Sequence, residues 1–555
     1  MRFPWGATGC SWLLHVAGVV AQRYDSVAVV GAGIGGSTAS YFLKEQGSGV
    51  EITVFEASER AGGRTDVFVY DGVTYETGAS IIYTGNAHIF NLTERLGLKR
   101  LPPRHSEDGN LGIWDGEKFA LVTSSWKVAN LFKMAWRYGR SLLTIRSMVN
   151  QALARFNRIY LIQAAGIAFS NPEELWGELG LLGLTKKTIA DYMHEKVGRP
   201  GSPIELEIVH AVNRVNYNQG NNLNALAGVI SLCPLITGDV FQVEGGNARL
   251  SEEALRESGA DVRWNTTISR VVGGAGAGYS LYSGQEKVGT FSAVILAAPL
   301  ELAKITLDIR GKDRTSEPRP PLPSVVYQEV HTTFVKGVID RAYFNLGPGE
   351  EVPASVLLAE GAMTTPFSSL SLQSWVEGEG EGVGGEGGTG RQERLGIYKL
   401  FSRNKLWTGV VDSLFVQGSW EIIHHQKWLA YPKLPPRKVW VPQQEPAQDC
   451  TTGKNDCSAA VAWPQVQQRS SLPREIEFSP VILYPGHPIF YLNSLEEGVS
   501  AMEVSAIAAK NAALGVIQWL LEVDHGRNTV FGANENTGTE DHSGEGVEDG
   551  ADGEL

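Results

Sequence analysis

A Val-rich run that leads straight into three spaced glycines, "VAVVGAGIGGS" over 27–37, restricts this chain more than any other part of it. The residues before the glycines have the composition of a strand buried on both faces, and those after them read as a helix. Gly31 then serves the tight turn, Gly33 lets the backbone approach a pyrophosphate, and Gly36 lets the helix pack on the strand. The start of the helix offers partial positive charge to the phosphates. Twenty residues after Gly36, at the end of "VEITVF", comes Glu56. An acidic side chain there accepts hydrogen bonds from ribose hydroxyls and disfavours a 2′-phosphate. This strand–turn–helix–strand unit predicts an α/β fold with a Rossmann-type domain whose ligand is a dinucleotide, NAD or FAD.

The rest of the 555 residues must supply a second region, since one such domain does not use a chain of this length. "SWKVANLFKMAWRYGRSLLTIRSMVNQALARFNRIYLI" has the apolar spacing of amphipathic helices, and strand-like stretches such as "VVYQEVHTTFVKGVI" dominate further on. Two low-complexity insertions interrupt the pattern, "EGEGEGVGGEGGTG" at 377–390 and a Pro- and Gln-rich stretch at 432–471. An Ala-rich helix, "EEGVSAMEVSAIAAKNAALGVIQWLLEV", returns near the end to finish the nucleotide-binding region. The expected organisation is a leader segment at 1–21, nucleotide-binding parts at 22–110, 241–310 and 481–525, a mainly helical region at 111–240, a mainly β region at 311–480, and a disordered tail at 526–555. The leader is read as a secretory signal peptide, from Arg2, a short apolar run and small residues before Gln22.

The net charge of −13 owes much to the tail, where 534–555 holds eight Asp or Glu and no Lys or Arg. The body is only mildly acidic, which argues against nucleic acid as a main partner, and no zinc-like Cys/His spacing points to a metal. Secretion would permit Cys450 and Cys457 to pair and the sequons at Asn91 and Asn265 to be glycosylated, with Cys233 left as a buried small hydrophobe.

After Glu56 the chain continues "EASERAGGRTD" and then "YETGASII". These resemble the signature of the FAD-dependent amine oxidase superfamily. The resemblance implies that Gly63 and Arg64 run along the flavin diphosphate, and that Gly78 and Ala79 lie against the isoalloxazine ring. "AMEVSAIAAKN" is similar to the superfamily's C-terminal flavin motif, which makes Met502 and Glu503 cofactor candidates at the opening of a helix. Glu503 has a second reading, as a carboxylate favouring the first helical turn. FAD is therefore the expected cofactor.

"RVNYNQGNNLNALAGVISL" at 214–232 and "VEGGNARLSEEAL" at 243–255 narrow the resemblance further. With "GASIIYTGNAHIFNLTERLGL" and "SAMEVSAIAAKNAAL" they are similar to the prenylcysteine oxidase, or prenylcysteine lyase, family over about 24–523 without the insertions. That resemblance implies an oxidase using FAD and O2 on farnesyl- or geranylgeranyl-cysteine. The expected products are cysteine, a prenyl aldehyde and peroxide, after hydride transfer from the carbon next to sulfur to flavin N5 and attack of water on the resulting cation to give a hemithioacetal that falls apart. It also implies a lysosomal or secreted protein, and backbone contact of Ile268 with adenine and of the Gly245–Asn247 turn with the nucleotide.

Such chemistry needs orientation and exclusion of water more than a strong base, so no catalytic residue is assigned. Arg214, Asn216, Tyr217 and Gln219 are candidates for ordering the flavin or the cysteine end of the substrate, or else ordinary buried polar groups. The helices of 126–162 and the apolar part of "LNALAGVISL" are candidate walls of an isoprenoid channel, or simply core. A channel mouth of this kind would favour peripheral membrane contact. A flavin-dependent amine oxidase or desaturase, or a flavoprotein-like chain without turnover, would share the cofactor motifs. "NSLEEGVSAME" departs from the family at Ser494-Leu495, where glycine is more usual.

Overall fold

Strand β1 (Ser26–Val30) is buried along nearly its whole length, because Val and Ala fill both of its faces and neighbouring strands flank both of its edges. It lies at the centre of a five-stranded sheet with the order Asp261–Arg263, β2 (Glu51–Phe55), β1, Ala293–Leu296 and Ile489–Tyr491, and every pairing is parallel. The chain is described by a computed structural model over residues 25–47, 49–103, 109–124, 126–274, 278–310, 322–347, 349–376, 394–437 and 478–524. The expected leader, the 377–390 insertion, the Cys450–Cys457 pair and the acidic tail lie outside these residues.

Helix α1 (Ile34–Glu45) crosses over from β1 and packs between the helices Arg249–Ser258 and Met502–Asp524. Lys510 clamps the last of these onto α1 through Glu45 (2.8 Å) and over the Phe42 ring. Met502–Leu521 is the one described helix long and apolar enough to cross a membrane, and it is mostly buried as a core helix. The opposite face of the sheet is closed by a four-stranded sheet in the order Glu286–Phe291, Gly278–Ser283, Arg270–Gly274, Thr306–Arg310, and the core between them includes Val30, Phe55, Ile268 and Leu296. This is the mixed α/β architecture the glycine turn predicts, with its strands drawn from separated parts of the chain.

Two further layers complete the molecule. A seven-stranded sheet runs in the order Glu421–Pro432, Tyr327–Gly337, Gly396–Ser402, Ser369–Trp375, Ser355–Leu358, Leu111–Trp114, Phe119–Val122. Residues 111–122, expected at the start of a helical region, therefore close the edge of this sheet instead. The hairpin β3 (Val67–Tyr70) and β4 (Val73–Glu76) packs Phe68 and Tyr75 against Phe334 of the larger sheet. The helical layer follows, with helix α2 (Ala87–Arg95) beside it. Ends are set by local chemistry: Thr188 and Asp191 form a reciprocal cap on Ile189–Val197, and left-handed Gly198 stops it.

Helix α3 (Lys127–Tyr138) and helix α4 (Ser141–Phe156) differ in what they bury. α4 sends Ile145, Met148, Val149, Ala152 and Phe156 into the core. α3 turns most of its apolar residues outward, so the wall role expected for 126–162 does not hold for that stripe. Leu434, at the start of the Pro/Gln-rich stretch, is fully buried, and its carbonyl accepts from Asn224 N–H at 2.7 Å.

Candidate active site

The dinucleotide turn is held from three sides. Gly31 N–H donates to Phe55 O at 2.8 Å, Ala297 N–H donates to Val30 O, and Gly62 N–H donates to Ala32 O. Gly31 sits at φ +108°, and a Cβ on Gly36 would stand 1.8 Å from Gly31 O, so helix and turn meet backbone to backbone. Gly33 is the N-cap of α1 in extended conformation, with no side-chain cap and no acidic residue in the first turn. The opening N–H groups of α1 are thus turned to an anion's position rather than spent on the chain itself. Glu56 accepts from Ala32 N–H (2.7 Å) and from Ser58 N–H and Oγ (2.9 and 2.8 Å), which fixes its carboxylate at the rim of the same turn. Ile268 follows the segment in which Thr266 N–H donates to Glu56 O, and its side chain is buried. An uncapped helix start, a turn with no room for a Cβ and a carboxylate at the end of β2 fit an ADP-containing cofactor.

Gly63 packs on Gly33, and beyond it the half-buried Arg64 side chain leaves the turn. Its guanidinium forms a two-pronged ion pair with Glu496 and donates to Ala430 O at 2.8 Å. Burial alone would raise the Glu496 carboxyl, but Arg64, Ser500 and Asn493 outweigh it and hold it below the usual carboxylate range. Arg64 therefore joins the turn to the segment before the last helix, in addition to any part along a diphosphate. Gly78 lies under Arg64 O, where a Cβ would come within 2.1 Å, and Ala79 N–H donates to the same carbonyl at 3.2 Å. Asn247 donates to Ala79 O, while Trp428 Nε1 and Thr332 Oγ1 both donate to Thr77 O. The Thr77–Ala79 backbone is a fixed shelf.

Behind this shelf, Lys399 is buried, donates to Ser80 Oγ and lies 4.6 Å from the centre of the Phe401 ring. Burial lowers its ammonium pKa, and burial raises that of nearby Glu76, whose Oε1 accepts from Asn247 N–H at 2.6 Å.

Met502 opens the last helix and is partly buried against the core. The Glu503 side chain faces away from the turn and accepts from His88 N–H (2.8 Å), Ile89 N–H (3.0 Å) and Tyr160 Oη (2.8 Å). It caps the start of α2, a role neither reading of the sequence anticipated, and burial raises its pKa. Among the four substrate candidates, Arg214 clasps the carbonyls of Ala362, Thr365 and Phe367. Asn216 donates to Ser231 O, and Gln219 bonds the backbone at Pro432 and Leu434. Tyr217 alone reaches the cofactor segment, donating to Ser500 O at 3.0 Å with its ring edge-on to Tyr431.

One turn before Arg214, His210 is buried, and burial together with Arg214 and Arg403 pushes it down to about 4. The unfolded chain takes a proton near pH 6.5 and the folded chain does not until about pH 4, so stability is full above the first value and falls as pH drops toward the second. This single group should cost about 2 kcal/mol between pH 7 and pH 5, and His210→Gln should flatten that part of a denaturant-melt pH profile. An unchanged profile would mean that His210 protonates freely in the folded state. Cys233 is also buried, and burial pushes its thiol up to about 12, as suits a small hydrophobe.

The family model for prenylcysteine lyase matches residues 121–444 and 461–525, and one for NAD(P)-binding Rossmann-like domains matches 29–96. The chain belongs to the prenylcysteine lyase family. Among relatives, prenylcysteine oxidase 1 of Mus musculus is 29% identical over 88% of each chain. Farnesylcysteine lyase of Arabidopsis thaliana is 28% identical over 90% of this chain and 89% of its own. Solved structures similar in fold include a putrescine oxidase variant, with a TM-score of 0.53 at 16% identity over 89% of this chain and 99% of that one. Cyclohexylamine oxidase from Brevibacterium oxydans has a TM-score of 0.52 at 15% identity over 90% and 99%.

In this prenylcysteine lyase family member, sequence reasoning overlooked Glu496, Lys399, Glu76 and Trp428. Glu496 lies in the 3-10 turn Leu492–Glu497, within the stretch that departs from the family pattern, and a search for acids near that departure would have found it. Nothing around Lys399 marks it in sequence, because it is one polar residue in a strand whose neighbours are apolar.

Proposed function

We propose that this chain is an FAD-dependent oxidase that cleaves prenylcysteine at its thioether with O2 and one water, whose oxygen becomes that of the aldehyde, releasing cysteine, a prenyl aldehyde and peroxide. The observation that carries this reading is the family match, which takes in nearly everything outside the dinucleotide unit. The cofactor is FAD, and the protein is an oxidoreductase. FAD when bound supplies the two-electron oxidation, with O2 as the proposed final acceptor. The chain's own residues bind and orient: the opening N–H groups of α1 take the diphosphate, Glu56 takes a ribose hydroxyl, and the Thr77–Ala79 shelf supports the ring system. Buried Tyr217 and the partly buried Tyr431 and Trp428 help keep bulk water from this region, consistent with chemistry in which positioning counts most.

A lysosomal or secreted setting is part of the proposal, supported by the leader-like N-terminus and by Asn91 and Asn265, both exposed. So is peripheral contact with membranes, where prenylated products partition.

Mixing the FAD-loaded protein with farnesylcysteine in the absence of oxygen should bleach the flavin, and admitting air should release peroxide and free cysteine. A flavin that stays oxidised with both farnesyl- and geranylgeranyl-cysteine, yet is reduced by dithionite, would defeat the proposed substrate while keeping the cofactor.

A further inference from the structure

Helix α3 is amphipathic, and it is mounted with its apolar side facing away from the protein. Val128, Leu131, Phe132 and Trp136 recur at helical spacing and are 80%, 67%, 75% and 84% exposed, with Trp126 just ahead of them at 76% and Leu143 just beyond at 69%. A surface helix ordinarily buries such a stripe. Here the other side is the anchored one: Arg137 makes a bidentate ion pair with Glu207 at 2.7 Å, Tyr138 Oη donates to the same carboxylate, Lys133 Nζ donates to Val122 O, and Met134 packs on the core. The orientation is therefore set by the fold and leaves six large apolar side chains in solvent, two of them Trp.

Charge identifies what covers them. From 119 to 172 the chain carries seven Lys or Arg and no Asp or Glu, in a protein whose net charge is −13. Beside Leu143 a cleft of about 320 Å³ brings Arg140 and Lys196 together with Thr144, Ser147 and Gln151, a set of cations and donors sized for a phosphate-bearing headgroup. Trp and Phe beside Lys and Arg on a short helix is the composition of an element lying in the plane of a lipid interface.

We infer that α3 and the first turn of α4 form a docking surface for an anionic lipid bilayer, with the apolar stripe entering the headgroup–acyl boundary and Arg140 and Lys196 meeting lipid phosphates. This rests on, and gives a location to, the membrane contact proposed above. It is independent of the thioether chemistry.

The test is flotation of the full, FAD-loaded chain with phosphatidylcholine vesicles, with and without phosphatidylserine. The protein should float with the anionic vesicles, less so at high salt. Phe132→Ser/Trp136→Ser should weaken binding by at least about tenfold, and Arg140→Glu by about fivefold or more. All three positions are exposed, so flavin absorbance should match the parent, and the charge variant alone serves if the double one fails to fold. The inference is overturned if the parent stays unbound on both vesicle types, or if Phe132→Ser/Trp136→Ser and Arg140→Glu bind as the parent does. A parent dimer made monomeric by the double variant would also overturn it, since a second copy would then cover the stripe. Turnover of farnesylcysteine, read in detergent, should be unchanged in every variant, which separates failure of docking from failure of the catalytic reading.

Discussion

Gly36→Ala should yield a protein that purifies without its yellow colour. The added Cβ would lie 1.8 Å from Gly31 O and 3.2 Å from the Ala297 Cβ, so α1 must move off β1 by more than its packing allows. Overpacking of this kind costs about 1–3 kcal/mol in ordinary cores, and here the displaced helix start is also the phosphate cradle. A weakening of FAD binding by at least about a hundredfold is expected, measured by flavin titration of the apo protein. Gly35→Ala is the control. Its Cβ would meet the side-chain end of Leu492 at 3.3 Å and Ser505 Cβ at 4.0 Å, with no backbone in the way, so it should keep its flavin. Equal flavin content in the two variants would mean that the turn is not the cofactor's seat.

Arg64→Met removes the half-exposed partner of the buried Glu496 carboxylate and leaves it among Asn493, Ser500 and apolar neighbours. Breaking a fully buried pair costs about 3–5 kcal/mol; with Arg64 a third exposed the loss here should be smaller, about 2 kcal/mol, most of it from the stranded Glu496 charge. In the parent, Glu496 titrates below its ordinary range, so its contribution to stability is present above the unfolded-state pKa and lost as pH falls through the folded one. Without Arg64, only Ser500 and Asn493 oppose burial, so the carboxyl moves up: the loss should be greatest at neutral pH and shrink as acid protonates Glu496. Adding Glu496→Gln should restore a good part of the melting temperature of the apo form. If Arg64→Met melts like the parent at pH 7, the pair contributes nothing to the fold.

What the sequence made legible divides along physical lines. The β1–turn–α1–β2 unit was readable because each glycine answers a steric requirement of its immediate neighbours. Glu56 was readable because its distance from the turn is fixed by one helix and one strand. Arg64 was only half readable. Its spacing placed it beside the turn, but its partner comes from a segment near the other end of the chain, and nothing local points from one to the other. Glu503 shows the same limit, since the N–H groups of His88 and Ile89 that donate to it are brought there by tertiary packing. For α3, periodicity disclosed an apolar stripe but not the direction in which it faces, because that is decided by Glu207, which holds the opposite side. The strands at 111–122 were missed because four-residue runs such as "LGIW" carry too little pattern to separate a sheet edge from a loop.

The order in which the nucleotide-binding sheet is assembled has a consequence for biosynthesis. One of its edge strands, Ile489–Tyr491, and the helix that braces α1 leave the ribosome long after the glycine turn. A nascent chain that already displays the glycine turn still lacks Glu496, the helix behind α1 and one wall of the sheet. Cofactor capture must therefore wait until residues 489–524 have been made, and chains cut short before them should not be rescued by supplying flavin.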